Sequence, residues 1–196
     1  MFSAIRSLFA SKMLLEATET TASTCPTYER MEDFDLTLYY GRWFEQVRDK
    51  STFYEIGDDC VCANYSANDD GTTRVRNNNY NDKDGWTGGT ITAFDVGVEG
   101  GIYVSWTGNE PPTGTQPNYN IIHTDYDNYT IVYDCGEFKG QTFENLWILS
   151  RTPVLSDEKL NEARSIIAEK LPSYDMSKKS HYTTQGDSCP YDDQPE

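Results

Sequence analysis

The chain reads as an all-β fold: an eight-stranded antiparallel up-and-down β-barrel with one C-terminal α-helix packed on its outside. Three observations carry this expectation. Short strand-like segments follow one another from Tyr39 to Arg151 with turn-forming residues between them, and a single segment of helical periodicity comes after. Two tryptophan-bearing segments, Tyr40-Gly41-Arg42-Trp43-Phe44-Glu45 and Trp147-Ile148-Leu149-Ser150-Arg151, bracket the strand region. Many short, evenly spaced strands are the mark of a sandwich or a barrel.

In chain order the expected strands cover 42–48, 60–67, 72–79, 86–94, 101–107, 118–124, 129–135 and 143–150. Asn68-Asp69-Asp70-Gly71, Asp82-Lys83-Asp84-Gly85, Val98-Glu99-Gly100-Gly101, Pro111-Pro112-Thr113-Gly114 and Asp125-Tyr126-Asp127-Asn128 separate them. Glycine supplies positive φ in such stretches, Asp and Asn bond their own backbone, and Pro presets a turn. The helix follows: Ser156 can cap it, Asp157 and Glu158 suit its positive end, and Leu160, Ala163, Ile166, Ile167 and Leu171 repeat along one face before Pro172 stops it. Its apolar stripe requires a partner surface, which the outside of the barrel supplies. Beyond Ser173 lies a short extended stretch near His181-Tyr182-Thr183.

A length of 196 residues fits one domain. The division expected is a targeting or docking segment over 1–24, a domain over 25–190 and an acidic tail over 191–196. Asp and Glu outnumber Lys and Arg 32 to 16, a net charge of −16, and residues 1–24 are neutral, so the rest of the chain carries the whole excess. Such a surface repels nucleic acid and anionic lipid headgroups and favours solubility. Met1–Leu15 has no apolar run long enough for a standard signal peptide, although Phe2, Ile5, Phe9 and Met13 would share one side of a helix. No apolar stretch approaches the roughly 20 residues of a transmembrane helix.

The cysteines stand at 25, 60, 62, 135 and 189, spaced neither as a zinc site nor as a redox motif, and their odd number leaves one thiol over. Together with the acceptor triplets Asn64-Tyr65-Ser66 and Asn128-Tyr129-Thr130, they point to a secreted protein or the lumen of an oxidising compartment. An organelle lumen or a membrane-associated complex is the alternative. No metal site is expected. His123 and His181 stand apart from any ligand or triad pattern, and the Asp82-Lys83-Asp84-Gly85 stretch fails as a calcium loop because Tyr80 and Ile91 occupy its first and twelfth positions. The acid pairs Asp58-Asp59, Asp69-Asp70 and Asp192-Asp193 read as solvated turn or tail residues.

Gly41-Arg42-Trp43, Thr124-Asp125-Tyr126 and Arg151 come in the order and spacing of the three signature motifs of the lipocalins. Cys25-Pro26, Phe34-Asp35, Ala63-Asn64-Tyr65-Ser66, Val132-Tyr133-Asp134-Cys135, Trp147-Ile148-Leu149 and Cys189-Pro190 extend the likeness over 25–190. The chain therefore resembles the lipocalin family, most closely its apolipoprotein D-like and bacterial branches. That resemblance implies a barrel with one open end. It also implies pairing of Cys25 with Cys135 and of Cys60 with Cys189, which leaves Cys62 free for a mixed or inter-chain disulfide or as an inert thiol. It further implies a pocket lined by Tyr65, Asn77, Val104, Tyr119 and Trp147, with Trp106 on the same side as Val104.

Strand direction agrees with the resemblance independently. In an up-and-down barrel, the start of the first strand, the sixth-to-seventh turn and the end of the eighth strand share one end. Trp43, Asp125 and Arg151 then meet at a floor, where a guanidinium can cover an indole. Residues 49–59, 80–85, 108–117 and 136–142, with Phe53, Tyr54 and Phe138, form the mouth. Side-chain alternation turns Asn64 outward with Cys60 and Cys62, and turns Val61, Ala63, Tyr65, Trp147 and Glu45 inward. An aromatic wall of this kind either lines a cavity or fills the barrel solidly.

The function expected is carriage of one small apolar molecule (a lipid, sterol, retinoid, carotenoid or tetrapyrrole), with no other cofactor. A lipocalin-fold subunit of a larger assembly, docked through residues 1–24 or Cys62, is the alternative. Isomerase or epoxide chemistry comes third, with Glu45 as the inward carboxylate.

Overall fold

The computed structural model describes residues 25–194, so the segment over 1–24 and the last two residues of the tail lie outside the described residues. A four-residue helix α1 (Leu36–Tyr39) leads into β1 (Gly41–Asp49), β2 (Asp59–Ala67), β3 (Thr73–Asn81), β4 (Gly85–Val98), β5 (Gly101–Ser105), β6 (Tyr119–Thr124), β7 (Tyr129–Phe138) and β8 (Gln141–Ser150). Then come α2 (Asp157–Lys170), α3 (Met176–Lys179) and β9 (Ser180–Tyr182). All ladders are antiparallel; β1 pairs with β8 on one side and with β2 on the other, which closes an eight-stranded barrel. No described helix is long and apolar enough to cross a membrane.

Two short helices join the one expected. Each is a single turn capped by an aspartate: Asp35 accepts from the Thr37 amide at 2.8 Å and Asp175 from the Ser177 amide at 3.1 Å. One turn is too short to show helical periodicity in sequence. The longer helix α2 begins at Ser156, whose hydroxyl accepts from the Lys159 amide at 3.3 Å. Its Ala163 and Ile167, with Leu171 just beyond, bury against Ile122, Tyr129, Ile131, Tyr133, Leu146 and Ile148 on the outer face of the barrel. β5 ends two residues earlier than expected because Ser105 to Gly108 forms a turn, with the Gly108 amide on the Ser105 carbonyl at 3.3 Å and a φ of +73° at Gly108.

The floor is built as strand direction required. The Arg151 guanidinium lies 3.7 Å from the centre of the Trp43 ring, and Trp43 is completely buried. The same guanidinium donates to the carbonyls of Tyr126 at 2.8 Å, Leu38 at 2.9 Å and Arg42 at 3.1 Å, while the Trp43 indole N–H donates to Tyr39 at 2.8 Å. Gly41 has a φ of +101°, and a Cβ there would stand 3.3 Å from an Arg151 nitrogen. Asp125 holds the β6–β7 turn by accepting from the Asn128 and Tyr129 amides at 2.8 and 3.0 Å; Thr124 accepts from the Tyr126 amide at 2.9 Å.

The barrel is not sealed by β1 and β2 alone. They pair only from Gly41↔Tyr65 to Phe44↔Cys62, toward the floor. Nearer the mouth the C-terminal segment lies between them: β9 pairs with Val47–Asp49, the Cys60 amide donates to the Thr184 carbonyl at 2.9 Å, and the Gln185 amide group bridges the carbonyls of Glu45 and Val61, both at 2.8 Å. Disulfides Cys25–Cys135 and Cys60–Cys189 close sequence separations of 110 and 129 residues, the second tying this strap to β2.

Replacing Cys60 and Cys189 together by alanine is expected to lower unfolding free energy by about 2–5 kcal/mol in urea titrations, because loops of this length restrict the unfolded chain strongly. Arg151→Met is expected to cost about 3 kcal/mol by the same measurement, since it orphans carbonyls and uncovers the indole.

Candidate functional site

The barrel encloses a cavity of about 920 Å³, open at the end opposite Arg151. That volume lies within the range of small-molecule sites. Strand alternation builds its wall: Trp43, Tyr65, Val75, Val104, Tyr119, Trp147 and Leu149 point inward while their neighbours face α2 or solvent.

Tyr65, Asn77, Val104, Tyr119 and Trp147 all lie on this cavity. Tyr119 is the hub of a hydroxyl cluster, 2.9 Å from the Tyr39 hydroxyl and 2.8 Å from that of Tyr65. Burial pushes the Tyr39 phenol up to about 12 and those of Tyr65 and Tyr119 well above their usual value, so all three remain neutral donors. Trp147 stacks on Tyr119 with ring centres 6.4 Å apart. Trp106 also lines the cavity, but beyond the end of β5 it does so from the rim, 65% exposed, with its ring edge-on to Tyr54 at 5.4 Å. Phe53 and Tyr54 share that rim, whereas the side chain of Phe138 lies outside the described residues.

Glu45 lies on the cavity as strand parity expected, whereas three further acids of the wall, Glu55, Asp134 and Asp58, the last expected to be a solvated turn residue, were not foreseen. Glu45, Glu55, Asp58 and Asp134 line the cavity, and no Lys, Arg or His does so among the described residues. Glu45 is held by Arg48 at 2.8 Å and by the Thr183 hydroxyl, and Arg48 also donates to the Glu55 backbone carbonyl at 2.6 Å. The Glu55 carboxylate comes from a 3₁₀ turn, Phe53–Glu55, in the β1–β2 loop, and accepts from the Trp147 indole at 3.3 Å. Burial, and then repulsion by the adjacent Glu45, pushes its carboxyl well above the usual carboxylate range. Burial raises Asp134 to about 6. The only sequence signal for Asp134 was inward parity on β7; an acid in a loop such as Glu55 gave none.

Cys62 is free and buried, which agrees with the inert-thiol alternative and not with the mixed or inter-chain disulfide. It shares the outer face with Phe44, its cross-strand partner, but Tyr191 packs on Phe44 with ring centres 5.5 Å apart and Gln194 donates to the Cys62 sulfur at 2.8 Å. The C-terminal turn therefore buries the thiol to 2% exposure, and burial raises its pKa, which removes it as a handle for an inter-chain or mixed disulfide. Asn64 and Asn128 are exposed; the Asn128 side-chain amide donates to Asp125 at 2.8 Å.

A raised carboxyl pKa costs stability above that pKa and nothing where the group is protonated in both folded and unfolded states. Asp134→Asn is accordingly expected to raise unfolding free energy by about 1 kcal/mol at pH 7.5, with the gain fading as pH falls through 6 toward 4. Parallel urea titrations at the two pH values measure it.

Residues 40–185 match the Lipocalin / cytosolic fatty-acid binding protein family. The Lazarillo protein of Schistocerca americana is 33% identical over 153 residues, 74% of this chain and 70% of its own length. Apolipoprotein D of Mus musculus is 31% identical over 170 residues, 85% of this chain and 84% of its own. Among solved structures, insecticyanin of the tobacco hornworm Manduca sexta superposes with a TM-score of 0.69 at 19% identity, covering 85% of this chain and 88% of that one. With its floor, its one-ended cavity and this match over most of its length, the chain belongs to the lipocalin family.

Proposed function

We propose that this lipocalin binds and carries one small hydrophobic molecule in the barrel cavity, drawn from lipids, sterols, retinoids, carotenoids or tetrapyrroles. The observation that carries the reading is the cavity of about 920 Å³, walled by Tyr65, Val75, Val104, Tyr119, Trp147 and Leu149 and closed at one end only. Burying about 300 Å² of ligand apolar surface yields about 7 kcal/mol before the costs of association. The hydroxyls of Tyr39, Tyr65 and Tyr119 and the amide of Asn77 offer orientation at little electrostatic cost, and the exposed aromatics of the rim give an apolar ligand a first contact.

Two long-range disulfides and exposed Asn64 and Asn128 favour a secreted or luminal setting with glycans at one or both asparagines. A second reading, a subunit of a larger assembly, draws on one observation: Phe53, Ile56 and Trp106 stand 78%, 70% and 65% exposed around the mouth. That reading predicts a stable complex through the mouth that blocks ligand entry.

Native mass spectrometry of the protein as isolated, followed by solvent extraction, is expected to show one apolar molecule per chain. Val104→Trp, which places an indole in the lumen, is expected to weaken binding of an uncharged apolar ligand at least about tenfold, equivalent to about 1.4 kcal/mol, in fluorescence titration. An extracted protein that binds no uncharged member of a sterol, retinoid and long-chain alcohol panel overturns the carrier reading.

A further inference from the structure

We infer that the ligand of this cavity bears a cationic amine head beside Glu55, and that carboxylate-headed lipids are selected against. The inference rests on the carrier reading and narrows it. The site is the cavity itself, already defined by its volume and apolar wall; its acids decide which end group can enter.

The charged groups around the Glu55 carboxyl are few. Glu45 lies against it, Arg48 is bonded to Glu45 at 2.8 Å, and the Trp147 indole donates to one Glu55 oxygen at 3.3 Å. The Arg48 guanidinium bonds the Glu45 carboxylate but reaches Glu55 at its backbone carbonyl, and its two terminal nitrogens are occupied by the Glu45 carboxylate, the Thr183 hydroxyl and the backbone carbonyls of Glu55 and Asp58. Arg48 itself is 3% exposed and stands behind the wall rather than in it. Asp134 and Asp58 add further acids to the lining, with Asn118 and Asn145 as neutral polar groups.

A carboxylate head entering this space would face Glu55 and Glu45, with Asp134 elsewhere on the same lining and no Lys, Arg or His among the described lining residues to receive it. Like charges brought together in a poorly solvated site repel. A hydroxyl head would find acceptors but no countercharge. An ammonium head gains both: it donates to Glu55 and restores the balance that one arginine leaves short. Its chain then lies along Trp147, Tyr119 and Val104. Trp147 links the two halves, with its ring plane on Tyr119 and its N–H on Glu55. This chemistry disfavours free fatty acids and acidic tetrapyrroles within the broader class and favours long-chain or polycyclic amines.

Three ligands of identical chain settle the matter: dodecylamine, dodecanol and dodecanoate, each at pH 7 and 150 mM salt, competing with a neutral fluorescent probe held in the delipidated protein. The expected order of affinity is amine, alcohol, carboxylate, with at least about tenfold between the first and last. Glu55→Gln, an isosteric change that still accepts from Trp147, is expected to reduce the amine-to-alcohol ratio at least about fivefold. Asp134→Asn serves as a second variant should Glu55→Gln fold poorly, and is expected to shift the ratio in the same direction. Attraction of the amine to the acidic outer surface would survive both substitutions, so an unchanged ratio overturns the inference. Dodecanoate binding as tightly as the amine also overturns it. Failure of all three ligands, dodecanol included, together with the uncharged panel, counts instead against the carrier reading.

Discussion

The contact on which the rest of the molecule depends is the Arg151 guanidinium over the Trp43 indole, 3.7 Å from its centre. An arginine at the end of the last barrel strand reaches across to the first, and its donors take up carbonyls of the α1 turn, of β1 and of the β6–β7 turn. The start of the barrel is thereby joined to the β6–β7 turn and to the end of the last strand, more than a hundred residues on, at one point. Sealing this end makes the opposite end the only entrance, and the interior can then stay open without the barrel falling apart. A barrel of eight strands is wide enough either to fill with side chains or to hold one ligand. Here the large aromatics Tyr39 and Trp43 fill the bottom, and space remains above them.

The second structural device is the C-terminal strap. β1 and β2 separate toward the mouth, and the segment from Ser180 to Gln185 supplies the missing hydrogen bonds to both. The strap has a chemical consequence inside the barrel. Thr183, from the strap, and Arg48, from β1, together hold Glu45, and Arg48 also ties the β1–β2 loop through the Glu55 carbonyl. Tail, loop and cavity acids form one connected unit. The Cys60–Cys189 disulfide ties the end of this segment to β2.

The cavity is consequently two environments in one volume. Its lower part has stacked aromatics and neutral phenols whose burial keeps them protonated. Its upper part holds carboxyl groups whose charge burial opposes. An elongated amphiphile matches this gradient better than a ligand that is apolar all over.

Much of this was legible in the sequence because the responsible signals are local. Turn formers between alternating segments placed all eight barrel strands to within a few residues, and strand direction alone brought Trp43, Asp125 and Arg151 to one end. Parity on β8 turned Trp147 inward. What escaped had no local signal. Glu55 lies in a three-residue 3₁₀ turn, where no period assigns a face. Trp106 lines the cavity at its rim and not deeper along the wall because a turn ends β5 at Ser105. The burial of Cys62 depends on Tyr191, which packs on its cross-strand partner Phe44, and on Gln194, more than a hundred residues away. The sequence by itself determined the barrel, its closed floor and its inward aromatics, since alternation and turn chemistry act between neighbours. Only the tertiary structure decided that four carboxyl groups share the cavity with no Lys, Arg or His on its wall among the described residues, because that balance is set by which distant segments the closure of the barrel brings together.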